Sequence, residues 1–152
     1  MKKEKAFIVV GHSNWGKSKT LCSLTEEIWQ KKYINIKGYE IKIKRMSNDD
    51  ISFKEVIDFL NKLDSKKNPV IIITLCPNFV DKSKGTIEIL DLLLTKFKPY
   101  FWILKKSYNS TQEVKDEEID RLRKYGCVEV FTKVDDSNIR AKEFRRFIEN
   151  NL

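Results

Sequence analysis

Residues 6–18 read AFIVVGHSNWGKS, in which a continuous apolar run at 6–10 leads into a loop with two glycines at 11–18. Short apolar runs rich in branched residues are typical of strands that are covered on both faces. Leu21, Leu24 and Ile28 then follow at helical spacing. The stretch predicts a buried strand, a loop and a helix, which together form the opening βα unit of a parallel sheet.

The remainder of the chain repeats this alternation of strand and helix. Apolar or alternating runs predict four more strands, at residues 39–43, 70–76, 100–104 and 128–132. Apolar residues at helical spacing predict further helices, at residues 53–63, 87–97, 116–125 and 141–148. Ser52 and Glu55 have the form of a capping box, while Pro99 and Gly126 are expected to terminate the helices that precede them.

The alternation predicts an α/β fold, because each right-handed crossover between parallel strands needs a covering helix. We expect a three-layer sandwich in which a five-stranded, mostly parallel sheet carries helices on both faces. The first, third and fourth strands are the most apolar and are expected inside the sheet, with the second and fifth at its edges. The order 2-3-1-4-5 satisfies these requirements and places the loop 11–18 at the switch point, where open sheets bind ligands.

A length of 152 residues fits one domain, residues 1–152, and 41% hydrophobic with 34% charged residues fits a chain that folds by itself. No apolar run reaches the roughly 20 residues that a membrane helix needs, and the start of the chain lacks a secretory core. We therefore expect a cytoplasmic protein with no membrane partner. Cys22, Cys76 and Cys127 are widely spaced within apolar segments and are expected to be buried thiols.

The formal net charge of +8 raises the question of a polyanionic partner, since clustered basic residues attract phosphates. The 30 basic residues are spread along the whole chain and mixed with 22 acids, which is typical of a solvated, lysine-rich surface. Nucleic acid stays open as a partner, as does another protein. A bound nucleotide needs only a local positive site.

The loop Gly11-His12-Ser13-Asn14-Trp15-Gly16-Lys17-Ser18 matches the pattern G-x-x-x-x-G-K-[ST] between a predicted strand and a predicted helix. Loops of this pattern turn backbone N–H groups inward to form an anion nest, to which the helix dipole adds. Gly11 and Gly16 are expected to allow a close backbone approach. Lys17 is expected to reach the β- and γ-phosphates of a nucleoside triphosphate and Ser18 to ligate Mg²⁺, with Lys19 completing the nucleotide-binding segment.

With this motif the chain resembles the P-loop NTPase superfamily, specifically over residues 6–30 and by pattern over nearly its whole length. The form Ser-Asn-Trp-Gly-Lys-Ser is more similar to the loop of GTPases than to that of nucleotide kinases. A second fragment, Thr132-Lys133-Val134-Asp135, resembles the [NT]-K-x-D element of GTPases. The resemblance implies that Asp135 pairs with the guanine edge and that Lys133 packs along the base. A solvated acidic turn is the alternative interpretation.

Several features depart from an ordinary GTPase. The third predicted strand ends Ile73-Thr74-Leu75-Cys76-Pro77 without a Walker B or D-x-x-G acid, and Asp81 lies one residue too far from Gly85. No sixth predicted strand follows the fifth to supply the last base-contacting loop. The helix at 53–63 implies a parallel second strand, as in kinases and in GTPases related to signal-recognition particles, rather than the antiparallel hairpin of small signalling GTPases.

Other residues would complete the site in different ways. Asp49 or Asp50 is a candidate for the missing acid near Mg²⁺ or, in a kinase, for the base that accepts a substrate proton, with helix capping as the alternative role. Basic residues after the fourth strand would form either a kinase lid or a solvated surface: Lys105, Lys106, Arg121 and Arg123. His12 is the single histidine and has no neighbour at metal-ligand spacing. Trp15 packs either on the nucleotide or on the adjoining loop.

Three functions stay open on these residues. The leading hypothesis is a slow NTPase that acts as a switch and prefers GTP to ATP, because two fragments resemble those of GTPases. A small ATP-dependent phosphotransferase is the second, and its acceptor is not specified by the sequence. The third is a nucleotide-binding module without useful catalysis, which follows from the absent Walker B acid.

Overall fold

The computed structural model describes residues 4–12, 15–26, 28, 31–48, 50–106, 113–133 and 136–152. Its helices and strands follow in the order β1 (Glu4–Val10), α1 (Lys17–Leu24), β2 (Tyr33–Ile36), β3 (Tyr39–Ile43), α2 (Phe53–Lys62), β4 (Val70–Leu75), α3 (Thr86–Lys96), β5 (Phe97–Leu104), α4 (Asp116–Arg123), β6 (Cys127–Phe131) and α5 (Ser137–Asn151). A short 3-10 turn, Lys82–Lys84, precedes α3.

The strands form one sheet in the order β2-β3-β4-β1-β5-β6. Every neighbouring pair is parallel except β2 and β3, which form an antiparallel hairpin. The prediction of an α/β fold with a mostly parallel sheet is confirmed. The predicted count of five strands is wrong, because β2 adds a sixth strand and moves β3 away from the edge. The five predicted strands are β1, β3, β4, β5 and β6, and within the six-stranded sheet they keep the predicted relative order.

The additional strand is explained by a turn that the sequence contains. Lys37 and Gly38 both have positive φ, 51° and 82°, as the two central residues of a tight hairpin turn do. Along β2, Ile34 and Ile36 are buried while Tyr33 and the residue between the isoleucines are exposed. A four-residue edge strand of this kind carries too short an alternating pattern to be recognised without its hairpin partner.

The central strands are covered on both faces, as their apolar runs predict. Along β1, residues 6–10 are fully buried. On one face α1 packs against α5, and the Phe7 ring contacts Phe147 of α5 at a centroid distance of 6.0 Å. On the other face α2 packs against α3, and the Lys96 ammonium donates to the Leu60 carbonyl at 2.6 Å. Helices thus form an outer layer on each side of the sheet.

Three local expectations are corrected by the structure. Helix α3 ends before Pro99, as predicted, but β5 already begins at Phe97, so that Pro99 lies inside a strand. This is tolerated because the pairing of β5 with β6 begins only at Tyr100. Ser52 is the N-cap of α2 but its side chain makes no capping hydrogen bond, so the predicted capping box is absent. Cys127 is exposed, whereas Cys22 and Cys76 are buried. None of the described helices combines the length and apolarity needed to cross a membrane.

Candidate functional site

The loop that follows β1 leaves the sheet at its centre. β1 lies between β4 and β5, and the Gly11 N–H extends the pairing with β4 by donating to the Leu75 carbonyl at 3.1 Å. Parallel strands place their carboxyl ends at one edge, so the loops after β1, β4 and β5 emerge together there. The tertiary structure therefore sets the predicted phosphate loop in the position where α/β sheets form ligand sites.

Lys17 is folded back into this loop. It is only 5% exposed, and its ammonium donates to the carbonyls of Gly11 at 2.7 Å and His12 at 3.0 Å. Charge-assisted hydrogen bonds of this length are stronger than those between neutral groups, so they hold the two ends of the loop together. A positive charge is thereby fixed between the end of β1 and the first turn of α1.

The two loop glycines differ in what the surrounding protein demands of them. Gly16 is the N-cap of α1 with φ +83°, a left-handed conformation that side chains rarely adopt. A Cβ on Gly16 would also lie 2.9 Å from Nη1 of Arg140. A Cβ on Gly11 would meet nothing closer than 3.5 Å. Protein packing thus requires glycine at 16 but leaves room for a Cβ at 11.

Ser18 faces the loop that follows β3. Its hydroxyl donates to the Arg45 carbonyl at 3.4 Å, and Thr74 near the end of β4 donates to the same oxygen at 2.9 Å. Thr74 thus brings a hydroxyl, and not an acid, to this end of β4. Within the described ranges, no group of three or more His, Cys, Asp or Glu side chains is arranged to hold a metal ion. Ser18 is the one residue predicted as a metal ligand.

The acids predicted after β3 have different outcomes. Asp50 is exposed, and its carboxylate accepts hydrogen bonds from the N–H of Ser47 at 3.0 Å and from the Ser47 hydroxyl at 3.4 Å. It therefore caps a turn instead of α2. Asp49 lies outside the described residues.

Asn48, which the sequence did not single out, fixes the end of β4. It is 3% exposed, and its amide donates to the carbonyls of Cys76 at 3.2 Å and Lys84 at 2.9 Å. Its carbonyl oxygen accepts from the Cys76 N–H at 2.8 Å. The loops after β3 and β4 are thereby joined beside the phosphate loop. An Asn within the polar run Ser47-Asn48-Asp49-Asp50 carries no signal that distinguishes this role.

His12 connects the phosphate loop to α4. Its ring packs edge-on against Trp15 at a centroid distance of 5.0 Å, and its Nε2 lies 3.5 Å from Oε1 of Glu118. A hydrogen bond to the Cys76 side chain and the contact with Glu118 outweigh the cost of burial and raise the pKa of His12 to about 9. Burial alone would raise the pKa of Glu118, but hydrogen bonds from His12 and Lys115 lower it. The pair is therefore ionic at neutral pH.

This ion pair makes stability depend on pH in a defined direction. The pKa of His12 is about 9 in the folded protein and ordinarily 6.5, so the stabilisation by the charged imidazole is complete below pH 6.5 and is lost as the pH rises through about 9. The contribution amounts to up to about 3 kcal/mol. Thermal melting between pH 6 and pH 10 is expected to show the wild type losing its advantage over His12→Gln. A difference that stays constant across this range contradicts the assignment.

The remaining predicted residues are placed as follows. Trp15 is 3% exposed and packs within the protein, whereas Lys19 is exposed on α1 and Lys133 is exposed just after β6. Ser13, Asn14 and Asp135 lie outside the described residues. The basic residues predicted as a lid make local contacts: Lys105 with Asp116, Lys106 with Glu113, Arg123 with Asp120, and Arg121 with the ring of Phe79.

Arg140 is a residue of the site that sequence reasoning missed. It lies in α5 and is 6% exposed, and its Nη1 donates to the Trp15 carbonyl at 2.8 Å. A signal was present, because Arg140 shares helical spacing with Phe144 and Phe147 and therefore lies on the apolar face of α5. A cation on such a face indicates a specific partner.

Comparisons with known proteins support the fold. No family model and no curated protein matches the sequence. The structure is similar to the solution NMR structure of a de novo designed PLOOP2X3_50 fold protein, with a TM-score of 0.53 and 12% sequence identity over 96% of this chain and 92% of that chain. A likeness at this identity establishes a shared fold alone.

Proposed function

We propose that the chain binds a nucleoside triphosphate in the loop 11–18 and hydrolyses it slowly, as a switch that prefers GTP to ATP. The observation that carries the proposal is the buried Lys17 ammonium, held between the carbonyls of Gly11 and His12 at the centre of the parallel sheet. A cation enclosed by a strand-to-helix loop is suited to a polyphosphate chain, whose charge would compete with these two carbonyls for the ammonium.

Guanine is proposed as the base because the fragment 132–135 resembles the base-binding element of GTPases. Asp136 caps α5 by accepting from the Ile139 N–H at 3.0 Å, so α5 begins directly after this segment. Ser23 of α1 donates to the Ser137 hydroxyl at 2.9 Å. These contacts bring the start of α5 against the helix that follows the phosphate loop. We infer that a base bound by this segment shares one nucleotide with the loop 11–18.

Magnesium fits the site through a small number of ligands. Ser18 supplies a hydroxyl, and Mg²⁺ commonly keeps several waters and takes phosphate oxygens as its other ligands. When bound, the ion would neutralise charge on the phosphates. The protein's own part is to hold the polyphosphate with Lys17 and the loop N–H groups.

One observation favours the binding module as a second candidate. Ser18 and Thr74 both donate to the Arg45 carbonyl, so the side chain that β4 brings beside Ser18 is a hydroxyl and not the acid that the resemblance would imply. A metal held without such an acid is bound less firmly, and hydrolysis slows. Tight nucleotide binding with no turnover would assign the chain to the binding modules. ATP turnover that needs an added acceptor would assign it to the phosphotransferases.

A thermal-shift panel of GTP, ATP, CTP and UTP, each with and without Mg²⁺, tests the proposal. A ligand present at 100 times its Kd stabilises the folded state by about 2.7 kcal/mol. For a domain of this size, that free energy corresponds to a rise in Tm of about 5–10 °C. We expect the largest rise with GTP and Mg²⁺.

The panel is followed by a phosphate-release assay on whichever nucleotide gives the largest rise. Slow release from GTP without an acceptor supports the switch. An unchanged Tm with every nucleotide at millimolar concentration contradicts nucleotide binding altogether.

A further inference from the structure

Arg140 lies where a cation is costly. It is 6% exposed on the same face of α5 as the fully buried Phe144. A guanidinium in such surroundings gives up hydration that only hydrogen bonds or charges within the protein can replace. The groups that the Arg140 guanidinium contacts must therefore compensate for the hydration that it loses.

One of its contacts is with the backbone of the phosphate loop. Nη1 donates to the Trp15 carbonyl at 2.8 Å, and an added Cβ on Gly16 would lie 2.9 Å from the same nitrogen. The guanidinium thus rests against the peptide that joins Trp15 to Gly16. This contact spans 125 positions of the sequence, so it links the C-terminal helix to the loop directly.

The contact fixes which way this peptide faces. The C=O and N–H of a trans peptide point in opposite directions, and no cis peptide occurs in the described part of the chain. With the Trp15 carbonyl turned toward Arg140, the Gly16 N–H points away from α5. The Gly16 carbonyl is also hydrogen-bonded: it accepts from the Thr20 N–H and from the Thr20 hydroxyl, each at 2.9 Å.

We propose that Arg140 is a positioning residue for the phosphate loop. It holds the Trp15 carbonyl turned toward α5, so that the Gly16 N–H points away from α5 and donates to a bound polyphosphate. The inference rests on the proposed function and deepens it. A backbone N–H oriented in advance costs no reorganisation when the anion arrives. The same guanidinium places a permanent positive charge behind the loop, which favours chains of several phosphates over a single phosphate.

The test uses Arg140→Met, which keeps a long, unbranched side chain but removes the guanidinium that donates to the Trp15 carbonyl. Arg145→Met is the matched control, because Arg145 lies on the same helix with its side chain 43% exposed. Inorganic triphosphate and GTP are titrated with Mg²⁺ by calorimetry well below the Tm. Arg140→Met is expected to weaken both ligands by about 10- to 100-fold, as loss of a hydrogen bond involving a charged group does. Arg145→Met is expected to bind like the wild type.

The amide NMR signal of Gly16 separates positioning from general support of the fold. In the wild type, saturating inorganic triphosphate is expected to shift this signal strongly. In the Arg140→Met variant saturated with inorganic triphosphate, the shift of the Gly16 signal is expected to be lost. If Arg140 had a purely structural role, the variant would have a lower Tm but would keep this shift. A wild type that binds triphosphate without moving the Gly16 signal overturns the inference even where the variant does not fold.

The two proposals fail in different ways. A wild type that binds neither GTP nor inorganic triphosphate refutes the proposed function. A wild type that binds both, with Arg140→Met equally tight, leaves the proposed function standing and refutes the role of Arg140.

Discussion

Replacing Lys17 with alanine is expected to lower the affinity for nucleoside triphosphates by about 100-fold or more, because a charge-assisted contact with the phosphates is lost. The same change removes the donor for the Gly11 and His12 carbonyls, which lie 2.7 Å and 3.0 Å from the ammonium. We therefore also expect the free energy of unfolding to fall by about 1–2 kcal/mol. Calorimetric titration at 15 °C measures the first effect, and denaturant unfolding measures the second.

Lys62→Ala is the matched control, since Lys62 is exposed at the end of α2 and belongs to no predicted binding segment. It removes the same charge from the chain without removing a buried contact. We expect its affinity to stay within about threefold of the wild type, as is usual for a solvent-exposed charge. Equal affinities for Lys17→Ala and the wild type, with both proteins folded, would remove the basis of the proposed function.

Replacing Gly126 with alanine is expected to destabilise the fold by about 3 kcal/mol or more, because the new Cβ has no room. An ideal Cβ at this position lies 2.1 Å from the Pro99 carbonyl oxygen and 3.0 Å from the carbon of the same carbonyl. Both atoms are backbone at the start of β5, so relief requires β5 to move away from β6. Thermal melting is expected to show a Tm lower by about 10 °C.

Gly38→Ala provides the comparison for this effect. Gly38 has φ +82°, and a Cβ there would meet nothing within 4 Å. The change adds backbone strain without a clash and is expected to cost about 1 kcal/mol.

Since Gly126 precedes β6, at the end of the sheet opposite the phosphate loop, nucleotide affinity measured below the Tm is expected to be unchanged in Gly126→Ala. A Gly126→Ala protein as stable as Gly38→Ala contradicts the packing argument.

Much of the fold followed from local patterns. The apolar run at 6–10 predicted a strand covered on both faces, and residues 6–10 are indeed fully buried. Helix α2 was predicted from the spacing of Val56 and Leu60, both of which are buried. Such patterns work because burial of one helical stripe or of a whole strand is the largest favourable term in folding. The hairpin formed by β2 and β3 was missed because four residues are too few to show a period.

The candidate site was predictable only in part. The residue types and spacing of the loop placed Lys17 and Gly16, and the structure brings both together at the centre of the sheet. The partners of the polar side chains were not predictable. Asp50, a candidate either for the acid near the metal or for a helix cap, accepts hydrogen bonds from Ser47 in its own turn, while Asn48 joins two loops without any sequence signal. A short polar side chain bonds to whichever backbone group the topology brings near it.

The sequence by itself determined the opening strand, loop and helix, because their hydrophobic pattern and glycine positions act over neighbouring residues. Only the tertiary structure decided that Arg140 bonds to Trp15, that His12 pairs with Glu118, and that Ser18 and Thr74 share the Arg45 carbonyl. These contacts join segments far apart in the chain. Their geometry depends on the order of the strands and the packing of α4 and α5, which no local pattern encodes.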